Sequence, residues 1–153
     1  MVNGFNQGIA ADQTSLYVGG TLATPVKGLK LGASYDYAAV ANQPTAVPAQ
    51  TATFQNATAV YASFAIPDSK LTLHGRGEYF TQSHGLGAAA GPRKVIAYTG
   101  TIQYDLWKNV LSRLEFRWDH QADGTGRAYG GTVVGTGNRR NAYLLAANLV
   151  YKF

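Results

Sequence analysis

The residues best placed to do chemistry form an alternating run. Arg113, Glu115, Arg117 and Asp119 stand two apart, with Leu114, Phe116 and Trp118 between them. A spacing of two puts the four charges on one face of a β-strand and the three large apolar groups on the other. The same scheme recurs upstream. His74, Arg76 and Glu78 share a face opposite Leu71, Leu73 and Tyr79, with Gly75 and Gly77 on the apolar side. Lys30, Ser34 and Asp36 alternate with Leu31, Ala33, Tyr35 and Tyr37. Such a ladder cannot face lipid, because an Arg at the membrane midplane costs about 2–4 kcal/mol there. It can face a wet lumen, where it would line a pore and set ion selectivity. In an interior as narrow as that of eight strands, the same charges would only satisfy one another. Arg76, Arg113, Arg117 and Lys30 slightly outnumber Glu78, Glu115 and Asp36, so at most a weak anion preference is expected.

Other candidates carry less. His74, His84 and His120 are scattered and show no convergent metal-ligand spacing. Ser83-His84 sits in a Gly-rich stretch without an acidic neighbour, and a triad needs a third group to orient the His. Gly124-Thr125-Gly126 and Gly135-Thr136-Gly137 lack the Lys and the following helix of a phosphate-binding loop. Asn56-Ala57-Thr58 matches a glycosylation sequon but lies mid-strand. No catalytic residue, metal ligand or cofactor is expected, and the chain reads as a non-enzyme.

The elements that must hold the ladder are strands. Alternation predicts seven, at roughly 14–24, 28–40, 53–66, 70–81, 94–106, 109–120 and 140–153. They exceed the ~5–6 residues usual in soluble sheets and match the ~9–11 needed to cross a membrane. Tight turns at 24–28, 67–70 and 106–109 alternate with longer connections at about 41–52, 82–93 and 121–139, the asymmetry of outer-membrane barrels. Three stretches, Leu16 to Tyr37, Val60 to Phe80 and Ile96 to His120, each read strand, tight turn, strand. Ile96, Tyr98, Ile102 and Tyr104 go outward, and Thr99, Thr101 and Gln103 inward. Leu16, Val18 and Leu22, then Val60, Ala62, Phe64 and Ile66, go outward, with Tyr17 and Tyr61 inward. In the last strand Tyr143, Leu145, Ala147, Leu149, Tyr151 and Phe153 share an apolar face bracketed by aromatics. That run covers roughly 25 Å of height at a ~40° tilt, the apolar band of such a barrel. Tyr143, Leu149, Tyr151 and Phe153 are therefore expected at the lipid-facing girdle.

Composition agrees. The chain has 153 residues, no Cys, 14% charged residues, 12% aromatics and a net charge of +5. The charged share is well below the ~25% of a soluble domain. Absent thiols exclude a disulfide scaffold, and the few dispersed cations do not suggest nucleic acid. No apolar run is long enough for a transmembrane helix, and the N-terminus is not a signal peptide. A soluble sandwich would also alternate, but strand length, connection asymmetry and aromatic bracketing favour a membrane barrel.

Ala147-Asn148-Leu149-Val150-Tyr151-Lys152-Phe153 resembles the C-terminal signal of bacterial outer-membrane proteins, a terminal aromatic preceded by alternating apolar and aromatic residues. Ser112 to His120 resembles the penultimate strand of β-barrel porins of OmpL-like type. Val2-Asn3-Gly4-Phe5 resembles a strand end and loop of the same family, and Leu71 to Phe80 its pattern ending in Gly-Glu-Tyr-Phe. The resemblance implies an all-β, antiparallel up-and-down transmembrane barrel in the bacterial cell outer membrane. About seven to eight strands lie in this chain, which is expected to be one barrel domain or the C-terminal part of a larger one. It implies passive diffusion of small hydrophilic solutes or ions past Lys30, Asp36, His74, Arg76, Glu78, Arg113, Glu115, Arg117 and Asp119. Implied partners are outer-membrane lipid and the barrel assembly machinery, with a homo-oligomer left open. The alternative is a small non-conducting barrel that anchors exposed loops for adhesion. The polar, Gly-rich loops lack the clustered aromatic anchors of a binding surface. Residues 1–5 are expected to be the top of an earlier strand.

Overall fold

A computed structural model of the chain describes residues 2–7, 11–40, 53–83, 94–124, 128–131 and 137–153, with backbone alone for 2–7 and 11–13. Eight strands lie in these stretches: β1 (Val2–Gln7), β2 (Ala11–Ala23), β3 (Leu29–Val40), β4 (Thr53–Ala65), β5 (Leu71–Gln82), β6 (Lys94–Trp107), β7 (Val110–Gln121) and β8 (Asn141–Tyr151). They form one antiparallel sheet in sequence order. Each strand pairs with its neighbours in the chain. β1 and β8 are the edges and do not pair with each other among the described residues.

The seven long strands fall where alternation puts them, because Val, Ile, Thr, Tyr and Phe at period two fit a pleated surface. The differences are local. β2 starts at Ala11, where β1 supplies partners from Gln7↔Ala11 to Val2↔Leu16. Gln82 and Gln121, expected to begin loops, close β5 and β7 instead. Of the long connections, 41–52 and 84–93 lie outside the described residues, as do 125–127 and 132–136. His84, Thr125, Gly126, Gly135 and Thr136 fall there. Within 121–139, Tyr129 forms a bridge with Arg139.

The short turns are built as their residues dictate. Gly28 takes a φ of 85°, the left-handed region that suits Gly. A Cβ there would stand 2.1 Å from the Ala65 carbonyl oxygen. Asp68 holds the corresponding position between β4 and β5 with a φ of 57°, which Asp tolerates. The turn after β6 is tighter than expected. Asp105 pairs with Leu111 and Trp107 with Val110, so Leu106 is the extra residue of a bulge. Strict alternation would put Trp107 on the face of Asp105. The bulge turns it to the face of Val110 and Tyr151 instead.

The sheet has no conventional core. No large side chain is fully buried among the described residues, and the buried apolar groups are Ala59, Ala97 and Leu111. Leu22, Leu145 and Leu149 are each at least 70% exposed. The chain presents 10751 Å² of surface, against roughly 7,500 Å² for a globular chain of its 16.3 kDa mass. Among the described residues there is no helix either.

Candidate functional site

Cross-strand register turns the sequence ladder into rows, because paired residues in an antiparallel sheet point to the same side. One row runs Thr21↔Gly32↔Tyr61↔Arg76↔Thr99↔Arg117↔Leu144. Its neighbour, two residues along each strand, runs Gly19↔Ser34↔Ala59↔Glu78↔Ala97↔Asp119↔Ala142. Guanidiniums thus line up beside carboxylates. Arg76 and Arg117 flank Thr99, two strand spacings or roughly 10 Å apart. Glu78 and Asp119 flank Ala97, whose short side chain lies buried between them.

The ion pairs run along the strands. Arg76 bridges to Glu78. Arg117 Nε donates to both carboxylate oxygens of Asp119 at 3.0 Å, and its Nη2 lies 2.8 Å from Oδ1. The Arg76 guanidinium also sits 5.7 Å from the centre of the Tyr61 ring, within cation–π range, and the Tyr61 and Ser34 hydroxyls are hydrogen-bonded. The next row carries Lys30↔Ser63↔His74↔Thr101↔Glu115. There Thr101 Oγ1 donates to Glu115 at 3.2 Å, and His74 Nε2 is buried without a partner among the described residues. One row further, Arg113 Nε donates to Gln103 at 3.1 Å. Asp36 lies at the other end, opposite Tyr17 and Ala57.

All nine residues expected on one polar face therefore share it: Lys30, Asp36, His74, Arg76, Glu78, Arg113, Glu115, Arg117 and Asp119. Register adds Asp105, paired with Leu111, to the charges that share this face with Asp119. Four cations (Lys30, Arg76, Arg113, Arg117) stand against five carboxylates (Asp36, Glu78, Asp105, Glu115, Asp119).

The opposite face is apolar in its middle rows. Leu22↔Leu31↔Ala62↔Gly75↔Gly100↔Phe116↔Leu145 is one row, and Gly20↔Ala33↔Val60↔Gly77↔Tyr98↔Trp118↔Tyr143 the next. Tyr98 stacks on Trp118 at 5.7 Å and Phe116 on Tyr143 at 6.3 Å. Tyr143, Leu149 and Tyr151 lie exposed on this side, and Phe153 is exposed just beyond the strand. Sequence reasoning missed a knot at its loop end. Trp118 Nε1 donates to Asn141 Oδ1 at 2.9 Å, and His120 Nδ1 meets the same oxygen at 2.8 Å. An indole N–H only donates, so that amide atom is the oxygen and Nδ1 carries a proton. His120 is thereby a fixed donor, which its isolated position in the sequence gives no sign of. In the following connection, burial pushes the Tyr129 phenol above its usual range, with Asp119 adding to the rise and Arg117 opposing it.

A sheet polar on one face, apolar on the other and ordered as an up-and-down meander has the anatomy of a barrel wall. Residues 6–153 match the family described as "Putative beta-barrel porin-2, OmpL-like". The chain belongs to this family. No curated protein and no solved structure matches it. In an OmpL-like porin the strands are those of a membrane-embedded barrel, which explains why the large apolar side chains are left exposed.

Proposed function

We propose that this porin-family chain forms wall of a water-filled pore in the bacterial outer membrane, through which small hydrophilic solutes or ions diffuse passively and without catalysis. The observation that carries the reading is the register, which gathers nine charged side chains and His74 on one face and most of the large apolar ones on the other. In this reading the charged face lines the lumen and the aromatic-rich face meets lipid. The short turns then lie on the periplasmic side and the long connections outside. Outer-membrane lipid is the surrounding partner. The assembly machinery reads the Tyr151-Lys152-Phe153 end, and a second copy of the chain is a further partner in a homo-oligomer. Because four cations nearly balance five carboxylates, selectivity between small ions is weak, and exclusion works chiefly by size.

Planar-bilayer conductance of the refolded chain tests this. Discrete steps are expected, with a reversal potential near zero in a salt gradient. Replacing Arg113 and Arg117 with Glu should shift that potential toward cation selectivity. A folded protein that never conducts, or a potential unmoved by the two substitutions, would remove the lumen assignment.

A further inference from the structure

A second cluster of cations lies outside the ladder, at the short-turn end of the sheet. Lys70 precedes β5, Lys108 sits in the β6–β7 turn and Lys152 follows β8. Backbone bonds draw these three elements together: Asp105 N donates to Lys70 O at 3.0 Å, and Lys152 N to Asn109 O at 2.8 Å. Lys70 Nζ reaches across to the carbonyl of the bulged Leu106 at 3.3 Å. With Asp105, Trp107 and Asn109, the three lysines line a cavity of about 250 Å³ above the buried Leu111. Its one carboxylate, Asp105, already accepts from Gln103 Nε2 at 3.2 Å. Three cations against one anion leave the site clearly positive.

We infer that this cavity binds a phosphate group. An ammonium is a compact point charge with three donors, and three lysines from different elements around one cavity suit a multiply charged oxyanion. The volume lies below that of a typical drug-sized pocket, so it fits one charged head rather than a large solute. Trp107, which the bulge turns to the apolar face, is shared between that face and the lining of the cavity. The phosphate can therefore come from two sources, a free phosphate-bearing solute or the headgroup of a neighbouring phospholipid whose chains lie along Trp107 and Tyr151. The site stands whether or not the sheet conducts, and its test reads binding alone.

The test titrates the refolded full chain in zwitterionic micelles with inorganic phosphate, followed by ³¹P line broadening. Saturable binding is expected. The Lys108→Gln/Lys152→Gln variant, altered only outside the strands, should weaken it at least about tenfold. Lys94→Gln, at the opposite end of the sheet, should bind as the native chain does. A parallel arm measures lipid retained from nanodiscs of phosphatidylglycerol or phosphatidylcholine by native mass spectrometry. Lysine-dependent retention of the anionic lipid identifies the headgroup as the source, and binding of inorganic phosphate alone identifies a solute. No saturable binding in either arm, or equal binding by the double variant, would overturn the site.

Discussion

Arg117 and Asp119 illustrate what a single pair does on a wet wall. Their geometry is bidentate, yet both side chains remain partly exposed, so their mutual attraction is largely screened. Asp119→Asn should therefore cost no more than about 1 kcal/mol in urea unfolding from micelles, while freeing a cation and moving the reversal potential toward anions. A large stability loss with no electrical change would mean that the pair faces something other than water. The Asn141 knot behaves differently, because its oxygen satisfies two ring donors at once. Asn141→Leu leaves Trp118 Nε1 and His120 Nδ1 without their acceptor. The expected loss is about 1–3 kcal/mol, with a blue shift of Trp118 emission in a Trp107→Phe background; unchanged emission would argue against the bond.

Neighbouring leucines on β8 give the sharpest test of a strand. Leu145 lies in the apolar row with Phe116, and Leu144 in the charged row with Arg117. Leu145→Arg should destabilise the folded protein by about 2–4 kcal/mol, whereas Leu144→Arg should be tolerated. Equal effects would dissolve the distinction between the faces. At the turns, Gly28→Ala should cost about 1 kcal/mol or more through strain at positive φ, read as a lower unfolding midpoint. These strands were legible in the sequence because the side-chain period is two, so polarity at consecutive positions reports the face directly. Arg113 to Asp119 is the clearest case. Register was not legible, since pairing depends on turn geometry and on which strands adjoin. Nothing local says that Arg76 and Arg117 share a row, or that Tyr61 lies under Arg76. Trp107 was hidden for a related reason, because one extra residue at Leu106 inverts the alternation that sequence reading relies on.

At the scale of the molecule, the absent core decides where the free energy of folding comes from. The exposed apolar face stabilises the fold only once it leaves water, so the refolded chain should keep its strands in micelles and aggregate when detergent is diluted out. A monodisperse, folded chain in plain buffer would contradict a lipid-facing surface. The meander carries one more consequence, for the order of events. Among the described residues every ladder joins strands adjacent in the chain, and because closure entropy grows only slowly with loop length, even the longer connections add little cost. Contacts of low sequence separation also form fastest. Each new hairpin can dock on the exposed edge of the one before it. The sheet can therefore grow strand by strand from either end, with no segment waiting for a distant one to arrive.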